Sequence, residues 1–293
     1  MGLDSWPKTA VVTGPGSGLG LAVAQALARG GSHIALVGRD RDKLKAVLAA
    51  VAEAGGSGDI FEADLADYDA VRLAAGRIMD SYPSIDLLVN NAGIMAVPQE
   101  ATKDGHELHL AVNYLSHFLL TALLVPALRA GGPARIVNVS SSHEGLSAID
   151  WADPHYRTRT YDKFDAYTQS KAACLLHALA LDQRLGSHGV RSFAVAPGVV
   201  NTALFRHLTR ADLRILIGRI PADVRKAGLP TLSPDDGAKA IIWAATAPEL
   251  AGQGGRYCVD GAFQAVPEVV GGLPEADRLW QLSQEWVGQA FAW

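Results

Sequence analysis

The sequence predicts an α/β protein: one doubly wound, Rossmann-type sheet of seven parallel strands with helices on both faces. Three observations carry this. Short apolar, β-branched runs recur along the chain. Amphipathic stretches of helical length separate them. The runs are continuously apolar rather than alternating, which is the pattern of strands buried on both faces. The 293 residues, 49% hydrophobic and 19% charged, suffice for a sizeable core without disulfides or structural metals.

Taken in order, the first strand is TAVVTG from Thr9, followed by a helix over Leu19–Arg29. HIALVG from His33 precedes a helix over Arg41–Glu53, and GDIFEAD from Gly58 precedes one over Asp67–Ser81. IDLLVNN from Ile85 leads to a helix over Glu107–Leu128. RIVNVSS from Arg135, VRSFAVAPG from Val190 and GRYCVDG from Gly255 complete the set. Parallel strands joined by right-handed crossovers then wind the sheet in both directions. Two segments break the rhythm: His143–Asp165, polar and aromatic, and Val199–Ser233, which carries LFRHLTRADLRILIGRI. Both lie beyond carboxyl ends of strands, where open α/β sheets bind ligands. The expected layout is a single domain with its core over 8–261, a substrate lid over 199–233 and an extension over 262–293. That extension holds Trp280, Trp286, Phe291 and Trp293, so it should pack on the body or on a partner.

Composition excludes several classes. A net charge of -4 gives no electrostatic case for nucleic acid. Two distant cysteines, Cys174 and Cys258, fit a reduced, cytoplasmic protein. The N-terminus has no apolar core of signal length, and Trp6 stands where a myristoylation signal needs Ser or Thr. FLLTALLVPAL from Phe118 is too short to span a bilayer and contains Pro126, so no membrane partner is expected. Asn138 matches a glycosylation sequon by letter but falls in a strand. HELH at His106–His109 has its histidines three apart, not the four of a zincin, and reads as a polar helix start. Ser17 lacks the flanking glycines of a nucleophile elbow, and no metal site is expected.

TGPGSGLG, Thr13–Gly20, directly follows the first strand and opens the first helix, the context a dinucleotide fingerprint requires. Gly14 can take the tight turn, Gly18 lets backbone approach a pyrophosphate, and Gly20 lets helix pack on strand. The helix N-terminus, with Ser17 and Leu19, then faces the phosphates. A glycine-rich turn without a ligand is the alternative. The second strand ends in Gly38-Arg39, where NAD-binding folds place an acid for the ribose 2′-OH. A guanidinium there can clasp a 2′-phosphate, so Arg39 points to NADP(H) over NAD(H) unless it is an ordinary surface arginine.

DAYTQSKAACLL from Asp165 sets Tyr167 and Lys171 four apart, on one helix face. A lysine there could lower the phenol's pKa and make it a proton donor and acceptor. A plain surface pair is the other reading.

Glycine turn and Tyr-x-x-x-Lys together resemble the short-chain dehydrogenase/reductase family, classical type. Further motifs of that family follow in order: NNAG at Asn90–Gly93, an asparagine at Asn113, a serine-ended fifth strand, and Pro197–Gly198. The resemblance covers roughly Lys8 to Gly261. VSSSHEG, the insert before Tyr167 and APGVVNTAL resemble the retinol-dehydrogenase-like branch, although Ala196 replaces the histidine often found before Pro-Gly. The resemblance implies that Tyr167 exchanges the proton with the substrate oxygen. It implies that Lys171 lowers the phenol's pKa and reaches the nicotinamide ribose. It gives Asn113 a water linking that lysine to solvent, and a serine the substrate oxygen. Ser140, Ser141 and Ser142 compete for that last role; counted from the strand-opening arginine, the family's serine falls at Ser141.

Asp64 and Leu65 match the adenine contact, although an Asp there could equally be a helix N-cap. Asn91, Ala92 and Gly93, with Pro197, Gly198, Val200 and Thr202, match further cofactor contacts. Ser141, His143, Tyr167 and Phe205 are the expected substrate contacts. For the substrate pocket the first break offers Trp151, Tyr156, Tyr161 and Phe164 and the second offers Leu204, Phe205, Leu208, Leu213, Ile215 and Leu216, some of which must be core; only Arg206 and His207 stand out as possible anion binders. The expected activity is therefore NADP(H)-dependent reduction or oxidation of a bulky apolar ketone, aldehyde or secondary alcohol. A non-catalytic NADP(H)-binding sensor or scaffold is the alternative on the same fold. The family also implies a homodimer built on the Tyr/Lys helix and the long helix before it.

Overall fold

The computed structural model describes residues 6–142, 145–202, 204, 208–219 and 231–291. Its strands are β1 (Thr9–Thr13), β2 (His33–Gly38), β3 (Ser57–Glu62), β4 (Leu87–Asn90), β5 (Ala134–Val139), β6 (Val190–Ala196), β7 (Arg256–Val259) and β8 (Ala262–Gln264). They form one sheet in the order β3-β2-β1-β4-β5-β6-β7-β8. The seven expected strands are there and parallel, but β8 adds an antiparallel edge, making eight. Its cause is local. Asp260 (φ 49°) and Gly261 (φ 71°) both take positive φ between the paired Val259 and Ala262. That is the two-residue turn that matches strand twist in a hairpin.

The helices are α1 (Gly18–Arg29), α2 (Arg41–Glu53), α3 (Tyr68–Ser81), α4 (Leu108–Ala130), α5 (Lys163–Leu185), α6 (Arg210–Arg219), α7 (Pro234–Thr246) and α8 (Leu273–Val287). Short polar residues start several of them. Asp40, Asp67 and Asp162 accept backbone N–H groups at the heads of α2, α3 and α5. Asp67, not Asp64, caps α3, and Asp64 instead makes a tight local turn to the Ala66 N–H at 2.9 Å. Glu107 caps α4 by accepting from the His109 and Leu110 N–H groups, which is the polar start expected of HELH.

Helices α3, α4, α5 and α8 cover one face of the sheet and α1, α2 and α7 the other. Between β1 and β4 the winding reverses, so the loops after these two strands diverge and leave a crevice. Helix α4 matches the helix expected over Glu107–Leu128, but FLLTALLVPAL is only part of its apolar length: at 23 residues the whole helix is apolar and long enough to cross a bilayer, and 89% of its most apolar window is buried in the protein. Pro126 sits inside it without ending it. Asn138, 2% exposed, belongs to a buried amide ladder, donating to Ser192 Oγ while Asn90 Nδ2 donates to Asn138 Oδ1 at 2.9 Å.

The C-terminal extension packs on the body. Trp280 and Phe291 meet Phe118 edge-on, each at 5.1 Å between ring centres. Tyr114 shares a hydroxyl hydrogen bond of 2.7 Å with Ser283, and Arg184 pairs with Asp277 at 2.7 Å. Helix α8 thus packs on the Tyr/Lys helix α5 and on α4. Trp293 lies outside the described residues.

Candidate active site

The glycine turn is built by close approach. Gly14 takes φ 65°, and a methyl group on it would lie 2.8 Å from the Ala92 Cα. A methyl on Gly20 would collide with the Gly14 carbonyl oxygen. No side chain fits at either place, so the turn, α1 and the loop after β4 can close into one cradle. Asn91 ties that cradle shut, donating from Nδ2 to the Thr13 carbonyl at 2.8 Å.

A cavity of about 780 Å³ runs from this cradle across the carboxyl ends of the strands. That is ample for a dinucleotide end and a small molecule together. One end is walled by Ser17, Leu19, Arg39, Asp64 and Leu65. Asn91, Ala92 and Gly93 line the cavity too, as do Pro197, Gly198, Val200 and Thr202. Tyr167, Lys171 and Ser141 line the other end. Gly18 and Asn113 do not line the cavity. His143 and Phe205, expected substrate contacts, lie outside the described residues, as do Arg206 and His207.

Helix α5 and strand β5 are stitched together at the reacting end. Lys171 Nζ donates to the Val139 carbonyl at 2.9 Å, and Ser140 Oγ donates to the Lys171 carbonyl at 2.7 Å. Ser140 is 3% exposed, so its hydroxyl is committed to holding the helix. Ser141 and Ser142 are left as the cavity's hydroxyls, and Ser141 is anchored by Tyr257, whose hydroxyl donates to the Ser141 carbonyl at 2.7 Å.

Asn113 lies in a π-turn, Ala111–Leu115, inside α4. Such turns are frequent at functional sites. Its Oδ1 accepts the Ile94 N–H at 2.8 Å, and its Nδ2 donates to the Ile94 carbonyl and to Ser170 Oγ. A methyl on Gly93 would stand 3.3 Å from Asn113 Oδ1 and 3.6 Å from Lys171 Nζ, so both groups converge on this glycine.

The expected lowering of the phenol by Lys171 is not what the surroundings produce. Burial pushes the Tyr167 phenol above its ordinary value and pushes the Lys171 ammonium below its own. The ammonium stands 5.9 Å from the ring centre and spends a hydrogen on Val139, so desolvation outweighs attraction.

Next to Tyr167 the cavity is apolar. Phe164, Leu204 and Leu216 line it, as the two breaks suggested; Met95, Val97, Leu108 and Val112 join them. Those four lie in the loop after β4 and the start of α4, where the sequence marked no ligand wall. Trp151, Tyr156 and Tyr161 are not on the cavity wall: Arg278 lies over the Trp151 ring, Tyr161 bonds Glu107 and the Val97 carbonyl, and Tyr156 stacks under Arg159. Leu213 and Ile215 are exposed on α6. Arg219 reaches the cavity wall, but Asp162 at 2.6 Å and Asp165 at 2.7 Å hold it in two ion pairs.

The family model described as short chain dehydrogenase matches residues 8–213. The chain belongs to the short-chain dehydrogenase family. Polyprenol dehydrogenase of Mus musculus is 39% identical over 287 residues, covering 93% of this chain and 82% of its own. Retinol dehydrogenase 13 of Homo sapiens is 36% identical over 297 residues, covering 96% and 85%. Both place the chain in the retinol-dehydrogenase-like branch. Among solved structures, a putative NAD(P) dependent gluconate 5-dehydrogenase from Beutenbergia cavernae with bound NADP superposes with TM-score 0.67. It is 31% identical, and the match covers 87% of this chain and 95% of that one. This short-chain dehydrogenase is an oxidoreductase acting on an alcohol or carbonyl. Its fold neighbours bind NAD(P)(H), and the glycine cradle, which no Cβ could enter, fits such a dinucleotide.

Proposed function

We propose that the chain is an NADP(H)-dependent carbonyl reductase or alcohol dehydrogenase for a neutral, bulky, apolar ketone, aldehyde or secondary alcohol. One observation carries the reading: a single cavity joins a glycine cradle with Arg39 at one end to an apolar chamber holding Tyr167 and Ser141 at the other. When bound, the cofactor supplies or takes the hydride. The chain's residues do the rest. Arg39 would hold the 2′-phosphate, and Lys171 would hold the ribose beside Gly93. Ser141 donates to the substrate oxygen, and Tyr167 gives that oxygen its proton in reduction or takes it in oxidation. Asn113 keeps the loop at Ile94 in place beside the lysine. Besides Lys171, the cation that the described residues bring to the chamber wall is Arg219, and it is already paired with two carboxylates, which favours a neutral substrate.

Two measurements test this. With NADPH, kcat/KM for a bulky cyclic ketone should exceed that for a small keto acid of similar reactivity, and the opposite order would overturn the apolar chamber. NADPH should bind more tightly than NADH, because charge-assisted hydrogen bonds contribute roughly 1.5–3 kcal/mol, about tenfold or more. Arg39→Asp should reverse that preference; equal affinities in the unmutated protein would remove Arg39 from the site. Tight NADPH binding with no turnover of carbonyls of any size or polarity would favour the sensor.

A further inference from the structure

The loop Asn91–Ala92–Gly93–Ile94 is gripped from two sides by one turn of α4. Asn113 holds its far end directly through Ile94. Its near end is reached through two buried side chains. His117 Nδ1 lies 2.8 Å from the Asn113 carbonyl, an atom that can only accept, so Nδ1 carries the hydrogen. His117 Nε2 is then an acceptor, and Thr13 Oγ1 donates to it at 2.9 Å. The lone pairs of that hydroxyl accept the Asn91 N–H at 2.9 Å and the Ala92 N–H at 3.0 Å. The competing acceptor for the hydroxyl, the Val89 carbonyl, is farther away at 3.4 Å. Thr13, His117 and Asn113 are 0%, 2% and 1% exposed, so water cannot substitute for a missing partner. Cys174 Sγ adds a second donor to the Asn113 carbonyl at 3.2 Å.

We infer that His117 is a positioning residue: through Thr13 it fixes the Asn91–Ile94 loop against the Asn113 turn, and so sets the cradle in which the dinucleotide rests. The ring is held neutral, since burial pushes its pKa down to about 4. The hydrogen bonds therefore keep one direction throughout the working pH range. The inference rests on the dinucleotide reading above, and the experiment separates the two: failure of NADPH to bind the unmutated protein would end that reading, whereas the variants below test only His117.

Two amide replacements divide the ring's jobs. His117→Asn can keep a donor near Nδ1 for the Asn113 carbonyl but cannot reach Thr13. His117→Gln can present an acceptor near Nε2 to the Thr13 hydroxyl. In the protein without cofactor, amide hydrogen exchange at Asn91 and Ala92 should speed up in His117→Asn and be largely restored in His117→Gln. NADPH affinity measured by calorimetry should follow the same order, with a loss on the order of tenfold or more for His117→Asn. Misplacement by about 1 Å can cost on the order of 100-fold in rate, so kcat should fall as well. Thr13→Val, which removes the hydroxyl at constant shape, breaks the same contact from its other side. It should speed exchange at the same two amides, and combining it with His117→Asn should add little, as expected of groups acting through one contact. Equal behaviour of the Asn and Gln variants, unchanged exchange at Asn91 and Ala92, or additive losses in the double variant would overturn the inference and leave His117 as packing.

Discussion

Tyr167→Phe is expected to lower turnover by about 10²–10⁴-fold, the usual contribution of a positioned proton donor. The ring keeps its place. It packs against the cluster of Met95, Ala96 and Phe164 and meets His109 edge-on at 6.3 Å, and none of these contacts uses the hydroxyl. Cofactor affinity and thermal stability should therefore stay close to those of the unmutated protein. The pH profile of the unmutated enzyme offers a second check. Burial raises the phenol's pKa above its ordinary 10.0, so the protonated form persists further into alkali. Reduction, which needs the proton, should lose nothing from this group between neutral pH and about 10. Oxidation, which needs the phenolate, should still be rising with pH at about 10 rather than levelling off below it. Substantial turnover in the phenylalanine variant would remove Tyr167 as the proton donor. An oxidation plateau near neutrality would mean that some charge overrides the burial.

The largest effect on stability is expected at Phe118. Its ring is fully buried in α4 and meets Trp280, Phe291, His177 and Tyr114 at 5.1 to 6.1 Å between centres. Phe118→Ala removes apolar area and opens a cavity that the surrounding helices fill only in part, at a cost of about 3–5 kcal/mol. Equilibrium denaturation of the full chain measures it. The loss should be concentrated in the docking of α8, so amide exchange in Leu273–Val287 should speed up more than in the sheet. A loss under about 1 kcal/mol would be smaller than any buried aromatic truncation of this kind and would mean that α8 does not rest on this ring. The lever is long: Phe118 lies five residues past the Asn113 turn, so the same helix carries the C-terminal docking and the cradle.

Much of this was legible from the letters alone. The seven parallel strands were, because a strand buried on both faces must be continuously apolar and a crossover helix must be amphipathic. The cradle was, because its chemistry is backbone chemistry: Gly14 and Gly20 stand where no Cβ fits, and only glycine satisfies that. Tyr167 and Lys171 share a helix face by spacing alone. Strand β8 was also written in the chain, as Asp260-Gly261 between two short apolar runs, a hairpin signal that needed only to be weighed.

Other features exist only once distant residues meet. Ser140 is distinguished from Ser141 and Ser142 by one hydrogen bond to a carbonyl 31 positions away. Arg219 has no partner within its own segment, and only folding sets it between two aspartates at the head of another helix. The π-turn at Asn113 and the His117–Thr13 contact, 104 positions apart, have no periodic signature. The direction of the Tyr167 shift was the sharpest divergence. Spacing shows that a lysine is near, but a pKa is set by the balance of attraction against lost hydration. How much water a phenol loses depends on every element packed around it, so only the folded chain decides it.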